Sequence, residues 1–350
     1  MNTSPNELRA AQNTGLSACS HLTGRATFAA GALLATALLV IQTAAAQSLA
    51  LDQRIELPSV QGRLDHMDID VEGSRLFVAA LGADSVEVID LHAAKRITRL
   101  QSLHEPKGVA YLFQSRRLFV ANVAGGGLQA FADGKAPVIA SADGLDDADN
   151  LRIRPTEGQL FVGYARALAV VDANTLRVVR SIELPGHPEA FEVDSAGRLI
   201  YVNVPSAKQI VVVDRRSGQI AATWDIAGAS QNFPMALDEQ SHRLLIATRR
   251  PPALFAWDTL TGKRVAQLAI CGDADDLFFD AQRLQLYAIC GEGLVQVIRQ
   301  RDPDHYEVVE RAVTAPGART GLFVPSLSTL YVAVPSRSGA PAEVRVFHIR

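Results

Sequence analysis

The chain has 350 residues, of which 48% are hydrophobic and 20% charged, with a formal net charge of −3. That length can bury a large core, and the small acidic excess argues against a surface built for a nucleic-acid backbone. Three cysteines are too few for a disulfide-framed mini-domain.

In chain order, Met1–Arg25 is polar, with Arg9 and Arg25 outweighing Glu7, and is followed by the apolar run "ATFAAGALLATALLVIQTAAAQS". Its small residues Ala44, Ala45 and Ala46 complete the order of a secretory signal, so residues 1–46 read as a signal peptide cleaved before Gln47. The competing reading is a retained anchor, because the run is nearly long enough to span a bilayer. "LSAC" at Leu16–Cys19 looks like a lipoprotein box but precedes the apolar run, so Cys19 leaves with the signal. No Arg pair precedes the run, which favours the general secretion route. The expectation is a periplasmic or secreted protein with no membrane contact after cleavage, in a compartment where disulfides persist.

From Gln47 onward one unit recurs. "RLFVAA" at Phe77 returns as "RLFVAN" at Phe119, "QLFVGY" at Phe161, "LIYVNV" at Tyr201, "RLLIAT" at Leu245, "QLYAIC" at Tyr287 and "TLYVAV" at Tyr331. The anchors step by 42, 42, 40, 44, 42 and 44 residues. A strand precedes each anchor ("HMDID", "GVAYL", "NLRIR"), another follows ("SVEVID", "ALAVVD", "QIVVVD"), and a fourth is visible in "ITRLQS" and "VVRSIE". Four short strands at this spacing predict an all-β, seven-bladed β-propeller over residues 47–350. The last copy has only three strands before "AEVRVFHIR" ends. The strand predicted at Leu51–Ser59 supplies the fourth and shuts the ring, with Ile55 and Leu57 facing the core and Arg54 and Glu56 outside.

"YVNVPSAKQIVVVD", Tyr201–Asp214, resembles the repeat of the YVTN family. With "DHMDID", "NFPMALDEQSHRLLIA" and "DADDLFFDAQRLQLYAICGEG", the whole mature chain is similar to its YncE-like branch. The resemblance implies a secreted bacterial seven-bladed propeller. It implies little about activity, because that family mixes binding proteins with propellers labelled lactonases. Members are linked to DNA binding, but this acidic chain lacks a basic groove with interleaved aromatics, and nothing is carried over for that role.

Catalytic and metal motifs fall short. "HEPKG" at His104 lacks the second His of H-E-x-x-H, and "HPE" at His187–Glu189 lacks the P-C-x-x-C of zinc deaminases. The repeat register says more. Twelve residues before each anchor stand Asp65, Lys107, Asp149, Glu189, Phe233, Asp275 and Arg319, and the next positions include His66, Asn150 and Asp276. Unpaired charge does not belong in a half-buried strand. One reading is a polar channel mouth for a small ligand or cation, with enough oxygen and nitrogen donors for a hard divalent cation as the sole cofactor. The other is structural, with Asp65–Lys107–Asp149 and Asp275–Arg319–Asp65 compensating round the ring. Glu189 resists that account because its ring neighbours are Asp149 and Phe233.

Cys271 precedes the inner strand of the sixth copy, and Cys290 ends the strand after it at the same face. A disulfide is expected, with two free half-buried thiols as the alternative. The functional expectation is a monomeric binding protein that holds a small molecule, cation or protein at the channel mouth. A metal-assisted lactonase-type hydrolase and a protein-binding platform on loops such as "SRSGAPA" at Ser336–Ala342 are the alternatives.

Overall fold

The computed structural model describes residues 48–350 apart from Gly126. The expected signal peptide, its cleavage site and Cys19 lie outside the described residues. Each repeat folds into a four-stranded antiparallel sheet, giving seven sheets. Blades 1 to 6 cover residues 67–100, 106–142, 151–183, 191–225, 230–269 and 274–313, and blade 7 joins 321–349 to the strand Leu49–Leu57. Among the described residues no helix is long and apolar enough to cross a membrane.

The burial of each strand explains its composition. The second strand of a blade, Arg75–Ala80 for instance, is buried at every position but its first. It is sandwiched between neighbouring blades, so it is continuously apolar instead of alternating. The fourth strand, Lys95–Leu100, forms the outer edge, and half of its residues are exposed and half are charged. The Asp that ends the third strand of blades 1, 3, 4 and 5 is a turn device. Asp90, Asp172, Asp214 and Asp258 each accept the backbone N–H three residues on, at 2.7–2.8 Å, which holds the hairpin into the fourth strand.

The core is divided among the blade interfaces. Seven apolar clusters each join one blade to the next. The cluster between blades 7 and 1 contains Ile55, Leu57, Leu76, Tyr331 and Val344, so the ring is closed by packing as well as by strand pairing. The closing strand runs antiparallel to Ala342–Ile349, with Ile55 opposite Val344 and Leu57 opposite Ala342. Ile55 and Leu57 are 1% and 0% exposed, while Arg54 and Glu56 face solvent. Its bounds differ from the expected Leu51–Ser59. It starts at Leu49, whose N–H is held by Glu310 of blade 6, and stops before Pro58, which has no N–H to give the ladder.

Candidate functional site

The innermost strands start around one mouth of the central channel, and side chains at or just before those starts converge there. Eight of the nine expected ring residues line a polar cavity of about 90 Å³: His66, Lys107, Asp149, Asn150, Glu189, Asp275, Asp276 and Arg319. Asp65, only 1% exposed, lies behind them. Below His66 and Asp276 the channel continues into a larger space of about 350 Å³, where Val109, Tyr111, Leu151, Ile153 and Phe278 make the walls more apolar.

Backbone packing brings these groups close. A Cβ on Gly108 would sit 2.1 Å from the carbonyl oxygen of Asp149, so only glycine lets blade 2 approach blade 3 there. On the other side, a Cβ on Gly291 would sit 2.0 Å from Asp273 Oδ2. The disulfide between Cys271 and Cys290, Cα atoms 5.9 Å apart, fastens the loop carrying Asp273 to the second strand of blade 6. The Cys271 N–H also donates to Gln296 Oε1 at 2.9 Å. The "ICGDADD" segment therefore joins a structural crosslink to a charged rim, with the carboxylates in the mouth and the cysteines buried behind it.

The pairing scheme differs from the one expected. Lys107 Nζ does meet Asp149 Oδ2, at 2.8 Å, and Arg319 Nε lies 3.4 Å from Asp275 Oδ2. Among the described residues, however, Asp65 makes no ion pair with Lys107 or Arg319. Its cation is Arg63, with Nη2 3.0 Å from Oδ2, yet neither Asp65 oxygen accepts a hydrogen bond of acceptable angle. Three residues outside the expected ring dominate blades 5 to 1. Arg63 Nη2 donates to Asp275 Oδ2 at 3.2 Å, and Arg249 Nη2 donates to Asp275 Oδ1 at 2.5 Å. Arg319 Nη1 reaches Asp273 Oδ2 at 2.9 Å. The Arg249 guanidinium also stacks 4.1 Å over the Phe233 ring, which explains the single aromatic in the ring register.

The side formed by blades 2 to 4 is built differently. His187, rejected above as part of a failed motif, stands beside Asp149 and Glu189. One ligating atom from each of the three lies within 4.8 Å of the other two. Burial would raise the Asp149 carboxyl, but His187 and Lys107 hold it well below the usual carboxylate range. Glu189 has no ion pair or side-chain hydrogen bond among the described residues, and burial, reinforced by the Asp149 charge, pushes its carboxyl up to about 8. Burial likewise lifts Asp65 to about 7 despite Arg63 and Asp276 to about 6. Asp276 Oδ2 accepts the Gly321 N–H at 2.7 Å, and its Oδ1 lies 3.8 Å from His66 Nδ1. Burial works to lower the His187 imidazole, but Asp149 and Asp147 more than reverse this and raise it.

The missed residues had a signal. Arg63, Asp147, His187 and Asp273 each stand two residues before a ring position, in the loop that leads into the innermost strand. Arg249 is the penultimate residue of the second strand of blade 5, Arg243–Arg250, and the equivalent position in blade 6 is Gly291. No repeat rule points to it.

No family model and no curated protein matches the sequence. Among solved structures, the chain is similar to one in the crystal structure of a Mitotic Checkpoint Complex. That match has a TM-score of 0.71 and 11% identity, and it covers 85% of this chain and 91% of that one. A chain of Kuenenia stuttgartiensis hydrazine synthase matches at TM-score 0.71 and 16% identity, covering 82% of this chain and 97% of that one. At such identities the likeness is one of fold, that of a seven-bladed β-propeller.

Proposed function

We propose that the protein is an exported binding propeller, YncE-like in kind, whose channel mouth holds a small polar ligand bearing positive charge, without turning it over. The β-propeller fold is consistent with a binding or interaction scaffold. The observation that carries the reading is Glu189, a half-buried carboxyl lining the mouth that makes no ion pair or side-chain hydrogen bond among the described residues. A buried acid without a partner is costly. A ligand cation, either a metal ion or an ammonium group, supplies the missing charge. The order of residues 1–46 and the crosslink in blade 6 support export to an oxidising compartment.

A second reading is a protein partner seated on the exposed loops, among them Ser336–Ala342. It is favoured by the likeness to a chain in a protein complex. The two readings separate on Glu189→Gln and Asp276→Asn. Under the first, both variants keep the wild-type fold and lose the small ligand. Should both bind as the wild type does, or unfold, the charged mouth is structural and the loops become the place to look.

A further inference from the structure

The proposed ligand charge has a more specific identity, and this step rests on the channel-mouth reading above. We infer that Asp149, His187 and Glu189 form a binding site for a divalent d-block cation of the zinc type. The first observation is the imidazole. His187 Nδ1 lies 3.0 Å from the Ala165 carbonyl oxygen and 3.2 Å from Asp147 Oδ2. Both are acceptors, so Nδ1 carries the proton. In the neutral imidazole Nε2 keeps its lone pair, on the Asp149 side, 3.7 Å from Oδ2. Two lone-pair atoms facing each other across that distance need an electrophile between them, either a proton or a metal ion. An imidazole whose far nitrogen donates to a carbonyl or carboxylate is the arrangement that fixes tautomer and orientation in metal-ligating histidines.

The second observation is the state of the two carboxylates. Lys107 occupies one side of Asp149 Oδ2 at 2.8 Å. A carboxylate offers about four lone-pair directions, so this contact orients Asp149 without exhausting it. The Glu189 side chain makes no hydrogen bond among the described residues, so none holds it away from the other two donors. Closing the three donors from within 4.8 Å to the spacing of about 3.3 Å in a tetrahedral shell with ~2.0 Å bonds takes a swing of Glu189 and a small approach of His187 Nε2 to Asp149, now 3.7 Å apart. Behind them, His66 Nε2 stands between Asp65 Oδ1 at 3.7 Å and Asp149 Oδ1 at 4.0 Å. The fully buried Asp65, whose oxygens accept no hydrogen bond, thus adds negative charge to the same side of the mouth.

The donor set selects the ion. An all-oxygen ring would suit Ca²⁺, which takes six to eight oxygen ligands. One imidazole nitrogen with two carboxylates, and room in the mouth for water or ligand to complete the shell, suits Zn²⁺ or Co²⁺.

The test is equilibrium dialysis of the purified full chain against ZnCl₂ and CoCl₂, with CaCl₂ as competitor. Cobalt's visible absorption reports coordination directly. The wild type should retain one equivalent of zinc or cobalt, undisplaced by calcium. His187→Gln and Glu189→Gln should each weaken binding by roughly 100-fold, and Asp147→Asn, which acts through the imidazole, by roughly 10-fold. Asp52→Asn, an exposed carboxylate on the closing strand, should leave metal affinity within about 2-fold. A wild type that retains no metal overturns the site without recourse to any variant. Equal binding by His187→Gln overturns it too, as does a zinc signal that calcium abolishes. In the same protein, putrescine and choline are titrated while melting is followed. If they raise the wild-type Tm in a Glu189-dependent way and metals do not, the metal assignment fails and the broader binding reading stands. If neither metals nor amines bind, both fail.

Discussion

The two sides of the channel mouth carry the same kinds of side chain and do opposite things with them. On the side of blades 5 to 1, Arg63, Arg249 and Arg319 are knotted to Asp273 and Asp275 in contacts of 2.5–3.4 Å. Every charge in that set has an opposite charge beside it, and a disulfide fastens its loop from behind. On the side of blades 2 to 4, one lysine serves Asp149 while Glu189 goes without. A charged ring is therefore not evidence of a binding site as a whole. The informative part is where the pairing runs out, because a protein gains nothing in stability from a buried acid without a partner.

The largest effect breaks both sides together. Deleting Leu49–Leu57 removes the strand that pairs with Ala342–Ile349 and the apolar seam between blades 7 and 1. The exposed edge should aggregate, and size-exclusion chromatography should find no soluble monomer. A truncated protein that stays soluble and melts as the wild type does would show that the ring is closed by something else.

The next two perturbations belong to the paired side. Asp275→Ala strips one carboxylate from three guanidiniums. It should cost about 3–4 kcal/mol by denaturant unfolding, since removing one partner of a buried ion cluster leaves uncompensated charge. The lower part of that range applies if solvent reaches Arg63, which is 39% exposed. Replacing Cys271 and Cys290 by serine opens a loop of 19 residues and should cost roughly 3 kcal/mol in the chain-entropy model. Non-reducing mass analysis after alkylation verifies beforehand that the wild type carries no free thiol at these positions.

Glu189→Gln sharpens the contrast with the smallest effect. The Glu189 carboxyl is pushed up to about 8 in the fold, against about 4.3 in an unfolded chain. Below about pH 4 it is protonated in both states and adds no penalty. Between that point and about pH 8 the folded state holds a proton that the unfolded state releases, so this group's contribution to stability falls as pH rises. Above about pH 8 the full cost remains. Ligand-free Glu189→Gln should therefore melt with the wild type at pH 4 and roughly 2–4 °C above it at pH 9. Melting below the wild type at pH 9 would mean that Glu189 has a cation after all.

The architecture was legible because a propeller repeats one sentence seven times. The anchors from Phe77 to Tyr331 fixed the blades, and the shortfall of one strand in the last copy pointed to the segment around Ile55 and Leu57. The ring positions were legible for the same reason. What the register did not reveal were the partners. Arg249 is peculiar to one blade, and no periodic argument reaches a residue that breaks the period. Arg63, His187 and Asp273 stand two positions before ring residues, in the loops that lead into the innermost strands. Reading one step further back along each copy would have put His187 beside Glu189, where a three-residue motif search had discarded it. The pairing of Asp65 with Arg63 instead of Lys107 depends on side-chain reach across the channel, which spacing does not encode.

The account's central claim is that the blade 2 to 4 side of the mouth is a binding site kept at some cost to the ligand-free fold. The most direct measurement is a melting comparison of wild type and Glu189→Gln at pH 9, alone and with zinc, cobalt, calcium, putrescine or choline. The account predicts that at least one of these cations raises the wild-type Tm and leaves Glu189→Gln unmoved, while the ligand-free variant melts at or above the wild type. A wild type indifferent to all five, or a variant shifted as far as the wild type, would contradict it.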